Sequence, residues 1–118
     1  GDFYYSNNAK TGIMAYVGTD ESVSIPDTVQ SIGEYAFKWC RNTTSITIPR
    51  SVTVIDQQAF YQCGVKSLAV PSSVTYIGEM AFYGIDNVTY DGTASGSPWG
   101  GGAALTTHLA RITQKANV

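Results

Sequence analysis

Charge is scarce in this chain. Seven Lys and Arg and nine Asp and Glu make up 14 % of its 118 residues, where soluble domains carry about 25 %. The formal net charge is −2 and the basic residues are scattered. That excludes the basic stripe of a nucleic-acid binder and the polybasic patch of a membrane-surface segment. Histidine is limited to His108, so neither a catalytic triad nor a zinc centre has convergent partners in the sequence. No apolar run approaches the ~20 residues that span a bilayer, so no membrane insertion is expected in this segment. No basic, apolar and small-residue leader stands at the start. The chain opens on Gly1 and not on Met, and we expect a processed product from which an export signal and further repeats were removed. No cofactor motif is present: Gly100-Gly101-Gly102 precedes a helical pattern but lacks the G-x-x-x-x-G-K-[ST] of a phosphate loop.

What the chain has instead is Ser, Thr, Asn, Gln and Gly around 43 % hydrophobic content, enough for one domain with a modest core. Its apolar residues follow a repeat. Ile25-Pro26-Asp27-Thr28-Val29-Gln30-Ser31-Ile32-Gly33-Glu34-Tyr35-Ala36-Phe37 recurs in altered form from Ile48 to Phe60 and from Val70 to Phe82. Pro26, Pro49 and Pro71 stand 23 and 22 residues apart. A fixed period of that length marks a solenoid, whose units bury their apolar faces only against their neighbours.

Ser45-Ile46-Thr47-Ile48 and Ser67-Leu68-Ala69-Val70 alternate polar and apolar residues, which predicts strands with one buried face. Proline then ends each strand, having no N–H to donate. The V-x-x-I that follows turns two apolar residues inward around a bend. Gly33, Asp56 and Gly78 come next, residue types that tolerate positive φ or cap a turn. The following Ala-Phe suits a single helical turn, with Phe37, Phe60 and Phe82 stacked as a spine packed on both faces only at Phe60. Residues 1–22 read as a capping β-hairpin, residues 23–90 as the repeats, and residues 91–118 as a coil pinned by Trp99 and a capping or linker helix over 103–115. Cys40 and Cys63 occupy equivalent positions. Their expected separation of ~4.8 Å suits either a free-thiol ladder or a disulfide.

The phrase I-P-x-x-V-x-x-I-G-x-x-A-F-x-x-C resembles the repeat of the BspA-like, or Treponema pallidum-type, leucine-rich repeat family, over Val23 to Tyr90. The Gly12–Gly18 segment is similar to the lead-in that precedes such arrays. The resemblance implies a mainly β, right-handed leucine-rich-repeat solenoid of about three 22–23-residue repeats. It also implies an exported or cell-surface bacterial protein that adheres to host or bacterial surface proteins or glycans. Thr43 departs from the pattern, standing where the family usually places Leu.

No nucleophile, base and orienting group occur together, so the chain reads as a non-catalytic binding module; a spacer that positions another domain is the alternative. Asp27, Glu34, Asp56, Glu79 and Asp86 occur singly and read as hydrated surface. The candidate partner surface has two parts. Lys38, Trp39, Tyr61 and Tyr83 follow the Ala-Phe pairs, where exposed aromatics would be anchors or would cover the spine at a bend. Thr47 and Thr89 belong to an outward ladder with Ser24 and Ala69.

Overall fold

The computed structural model describes residues 2–94 and Trp99. The helix expected over 103–115, the glycine run at 100–102 and His108 lie outside the described residues.

Strands β1 (Phe3–Tyr5) and β2 (Gly12–Tyr16) form the expected antiparallel hairpin. Each repeat then supplies two short strands. The first set is β3 (Ser22–Ser24), β5 (Ser45–Thr47), β7 (Ser67–Val70) and β9 (Asn87–Tyr90). The second set, from V-x-x-I, is β4 (Ser31–Ile32), β6 (Val54–Ile55) and β8 (Tyr76–Ile77). The second set makes the longer sheet, in the order β1-β2-β4-β6-β8, and all pairings beyond the hairpin are parallel. The hairpin thus covers the first edge of that sheet, which would otherwise be open to strand addition. The first set makes two separate two-stranded sheets, β3-β5 and β7-β9.

Stacking turns the repeat into buried columns. Val29, Val52 and Val74 are fully buried, as are Ile32 and Ile55, with Ile77 nearly so. Each Val follows a turn in which its N–H donates to the proline carbonyl three residues earlier, at 3.1–3.2 Å. Proline therefore ends the strand and opens the turn that drives Val inward. Thr43, at the position expected of Leu, is also buried, and its hydroxyl donates to the Asp20 carbonyl at 2.9 Å. A polar side chain is accepted there because its one donor is satisfied.

The Ala-Phe segment corrects one expectation. It is no helical turn, and the described residues contain no helix. Ala36 N–H donates to Gly33 O and Cys40 N–H to Phe37 O, and the same pair of turns recurs at 56–63 and 78–85. The third residue of each turn has positive φ: Tyr35 at 64°, Trp39 at 65°, Gln58 at 53°, Gln62 at 54°, Met80 at 58° and Gly84 at 96°. That is the type II pattern, which ordinarily calls for Gly at this position. Gly33 and Gly78, by contrast, are needed for space. A Cβ on Gly33 would sit 2.6 Å from the Ile13 carbonyl oxygen, and one on Gly78 would collide with the Gln57 backbone.

Alternate N–H groups of the same segment bond to the next coil. Tyr35, Phe37 and Trp39 N–H donate to the carbonyls of Gln57, Ala59 and Tyr61 at 2.7–3.3 Å; Gln58, Phe60 and Gln62 donate to Glu79, Ala81 and Tyr83 at 2.8–3.0 Å. Where a further coil would stand, the Trp99 carbonyl accepts Phe82 N–H at 2.8 Å. Tyr90 completes that end. Its hydroxyl donates to Val74 O at 2.5 Å, the place that Ser73 Oγ takes on Val52 O one coil earlier.

The aromatic spine is longer than the three Phe rings. Phe37 and Phe60 stack at 5.2 Å and Phe60 and Phe82 at 6.2 Å, while Tyr16 stacks on Phe37 at 5.4 Å and Trp99 meets Phe82 edge-on at 6.3 Å. Phe60 is therefore not the only ring packed on both faces, because Tyr16 and Trp99 cover the outer faces of its neighbours. Phe37→Ala, Phe60→Ala and Phe82→Ala should each cost about 3–5 kcal/mol in denaturant titrations. Their values should fall within about 1 kcal/mol of one another, since all three rings are enclosed alike. A much larger loss at Phe60 alone would contradict the extended spine. Gln62→Gly, which gives coil two the residue of Gly84, should raise stability by about 0.5–1 kcal/mol, because relief of left-handed strain outweighs the added chain entropy.

Candidate functional site

The positive-φ turns set which side chains leave the solenoid on this flank. Lys38, Tyr61 and Tyr83 each follow a spine Phe and form one column; Trp39, Gln62 and Gly84 form the next. Tyr61 and Tyr83 stack at 5.0 Å and 15°, and Trp39 leans across from its own column to meet Tyr61 edge-on at 5.6 Å and 75°. Trp39 is 52 % exposed and Tyr83 38 %, so neither is a closed lid over the spine; Tyr61 is half-buried between them. Lys38 Nζ lies 4.7 Å from the Tyr35 ring and 5.3 Å from Tyr61, and the Arg41 guanidinium lies 5.1 Å from Trp39. Such cation–π contacts at partly exposed sites are worth about 0.5–1 kcal/mol each. They also cover one face each of Tyr35, Tyr61 and Trp39, so that cationic heads stand beside the exposed aromatic surface of the flank.

The structure therefore brings Lys38, Trp39, Tyr61 and Tyr83 together. It sets Thr47 and Thr89 apart from them. Both are exposed, but Thr47 pairs with Ser24 on β5 and Thr89 with Ala69 on β9, in different sheets. Within a coil, the proline turn and the V-x-x-I strand lie between Thr47 and the aromatic flank, so the expected four-rung ladder is two separate two-rung ladders. Sequence reasoning passed over Tyr35 and Arg41. Their signal was their place among the residues that the repeat leaves variable beside Ala-Phe.

A depression of about 330 Å³ adjoins the flank where each coil returns to its next strand. Arg41, Gln62, Gly64, Lys66, Gly84 and Asp86 line it. Gly64 is required here, since a Cβ would collide with the Arg41 carbonyl of the coil before. A second depression of about 280 Å³, on the hairpin side, is lined by Ser6, Gly12, Met14, Ser31, Gly33 and Glu34.

Both cysteines are free thiols, with Cys63 buried and Cys40 half-buried. Burial pushes the Cys63 thiol from 9.0 up to about 11, and burial also raises Cys40. Thiolate is the reactive form, so folding protects these groups. At pH 8, alkylation of native Cys63 should be about a hundredfold slower than that of an ordinary thiol, and should speed up tenfold per pH unit towards 11. Because the folded state holds this proton more tightly, the contribution of Cys63 to stability is present below pH 9 and lost between 9 and about 11. Mass spectrometry of the alkylated native protein checks the rate; labelling of Cys63 as fast as in urea would refute it.

Among the described residues no three His, Cys, Asp or Glu side chains converge to hold a metal, and no helix is long and apolar enough to cross a membrane. The chain has no significant match among curated proteins. Among solved structures it is similar to a leucine-rich repeat protein from Eubacterium ventriosum, with 30 % identity and a TM-score of 0.69 over 78 % of this chain. It is also similar to a leucine rich cell surface protein from Faecalibacterium prausnitzii, with 32 % identity and a TM-score of 0.57 over 61 % of this chain. The chain spans 26 % and 20 % of those two structures. The profile of the BspA type leucine rich repeat region matches residues 14–94 in six copies. With that match over more than half its length, and with stacked coils that carry the I-P, V-x-x-I and A-F positions in register, the chain belongs to the BspA-type leucine-rich repeat family.

Proposed function

We propose that this chain is a non-catalytic recognition module of an exported or cell-surface bacterial protein, and that it adheres to a surface protein or glycan through the Trp39–Tyr61–Tyr83 flank. The observation that carries this reading is the flank itself. The recurring apolar positions of the repeat are consumed by stacking: the Val, Ile and Phe columns are buried, and the Ala-Phe main chain is hydrogen-bonded between coils. The flank residues share the main-chain bonding, but their side chains stay outside the buried columns. Trp39 at 52 % exposed and Tyr35 at 43 % exposed instead hold cations over their faces. Tyr, Trp and Arg are the side chains that most often anchor interfaces, Tyr and Trp because they offer large contact area with few rotors and Arg because of its planar fork of donors. The name of the Faecalibacterium neighbour, a cell surface protein, supports the location.

A spacer role is the second reading, favoured by the small share of its structural neighbours that the chain spans. Binding to immobilised bacterial and host surface proteins and glycans separates the two. Trp39→Ala and Tyr61→Ala should each weaken binding about tenfold or more without lowering the melting temperature by more than a few degrees, while Thr47→Ala and Thr89→Ala should change it less than twofold. Folded protein that binds nothing on the panel, or binding indifferent to Trp39 and Tyr61, would favour the spacer.

A further inference from the structure

Three of the five Lys and Arg in the described part of the chain stand at one corner of the solenoid: Lys38 and Arg41 on the aromatic flank, and Arg41 again with Lys66 in the depression beside it. The other two, Lys10 and Arg50, lie on the hairpin and on the proline turn of coil two. No Lys or Arg among the described residues makes an ion pair; ring faces hold Lys38 and Arg41, Lys66 is exposed, and all three remain open to an anion. We infer that this corner binds an acidic saccharide, a glycan bearing carboxylate or sulfate groups, with the depression of Arg41, Gln62, Lys66 and Asp86 as the subsite for its charged residue. The inference rests on the recognition role proposed above and names the chemical class of its ligand.

Three observations select this occupant. Neutral sugars bind protein aromatics by laying their C–H faces on open rings, but here Arg41 covers Trp39, and Lys38 and Tyr83 both contact Tyr61. The attraction on offer is that of the cations, and a guanidinium presents paired donors that match a planar carboxylate or a sulfate edge. Second, a peptide that adds as a strand needs free main-chain groups. From Tyr35 to Arg41 and from Gln58 to Gly64 every main-chain N–H is already donated within the solenoid. Third, the depression mixes signs. Arg41 and Lys66 donate, Gln62 can do both, and the exposed Asp86 carboxylate can only accept. A ligand that carries anionic groups and hydroxyl donors on the same ring satisfies both. A polyanion without hydroxyls sets a like charge against Asp86. Gly64 and Gly84 leave backbone on the depression where side chains would fill it.

The test uses the full chain and fluorescently labelled probes in anisotropy titrations. The probes are dextran sulfate, polygalacturonate, neutral dextran, inorganic polyphosphate and poly-L-glutamate of similar length. Dextran sulfate or polygalacturonate should bind, and affinity should fall as salt rises from 50 to 200 mM, the range over which ionic contacts weaken steeply. Neutral dextran should not bind, and polyphosphate and polyglutamate should bind at least fivefold more weakly. The double variant R41Q/K66Q should lose at least tenfold, and so should Lys66→Gln combined with Trp39→Ala. The control K10Q/R50Q removes the same charge elsewhere and should lose less than twofold. Thermal melting confirms that each variant is folded, and because Lys66 is exposed, Lys66→Gln alone gives a second readout, with a loss of about threefold or more. Equal loss in the control, or polyglutamate binding as tightly as the acidic saccharides, would overturn the inference, the latter in favour of an acidic polypeptide. If no saccharide binds but a protein ligand from the surface panel is lost on Trp39→Ala, the recognition role stands and the glycan is wrong. If neither binds, both fail.

Discussion

The structure depends on one hydrogen-bonding arrangement, the donation of alternate main-chain N–H groups from each coil to the carbonyls of the next. On the Ala-Phe flank, Phe37 reaches Ala59, Phe60 reaches Ala81 and Phe82 reaches Trp99, with the groups between them bonded back into their own turns. An ordinary helical turn would send every N–H along its own axis and leave neighbouring coils unjoined. The chain instead inserts a left-handed residue at every fourth position here, which reverses the curl and lets the segment cross the flank as two linked turns. Five of these six positions carry a side chain, not Gly. Left-handed backbone costs such residues roughly 1–2 kcal/mol apiece. It persists because the alternative is a row of unpaired buried amides, each about as costly or more. The Phe spine and the Ala column follow, since only a methyl and a flat ring fit between coils tied this closely.

How much of this can be read from residues differs by level. The columns are legible because burial is periodic: Val29, Val52 and Val74, or Ile32, Ile55 and Ile77, recur at the spacing of the prolines and differ little in kind. The hairpin and the strand before each proline are legible too, whereas the free state of Cys40 and Cys63 is not, because their spacing suits a disulfide equally well. Backbone sign is not. Tyr35, Gln58 and Met80 share a left-handed conformation and no chemical property, while Gly33 and Gly78, which look like its natural carriers, are small to let Ile13 and Gln57 approach. The balance between sheets was likewise hidden. V-x-x-I offers only two apolar residues per copy, yet it builds the longer sheet because the hairpin supplies its first rungs.

The candidate site was legible in half. Lys38, Trp39, Tyr61 and Tyr83 could be placed on one flank because they stand at fixed offsets from Phe in successive copies. That Trp39, one column over, still meets Tyr61 follows only from the packing of the folded coils, and so does Arg41 on its face. The depression escaped notice for a different reason. Coil three is shorter: Ser67 stands seven positions after Phe60, and Asn87 five positions after Phe82. Ile85 keeps the turn hydrogen bond to Phe82 that Cys63 makes to Phe60, so the shortening falls after it and brings Asp86 alongside Gln62 and Lys66. A frame shift of two residues between copies is easily read as noise in the repeat, but at this corner it composes the lining of a depression.

The scarcity of charge acquires a meaning in this light. In a chain that is densely and evenly charged, a cluster of three cations would be lost in the surrounding field. Here charged residues are few and the whole is weakly acidic. At physiological salt, fields decay over about 8 Å, so an approaching ligand senses only what lies within that distance. Lys38, Arg41 and Lys66 therefore act as a local feature against a neutral surface of Ser and Thr, and long-range steering contributes little. Discrimination must come from contact geometry: a guanidinium over an indole, an ammonium beside two phenols, and a carboxylate in the lining of the depression. The first two are set by the coil-to-coil hydrogen bonds, because the same left-handed turns that join the coils aim Tyr35 and Trp39 outward. The solenoid's constraint and its surface chemistry are thus one piece of geometry, and a change that relaxed the turns at Tyr35 or Trp39 would move the cations with them.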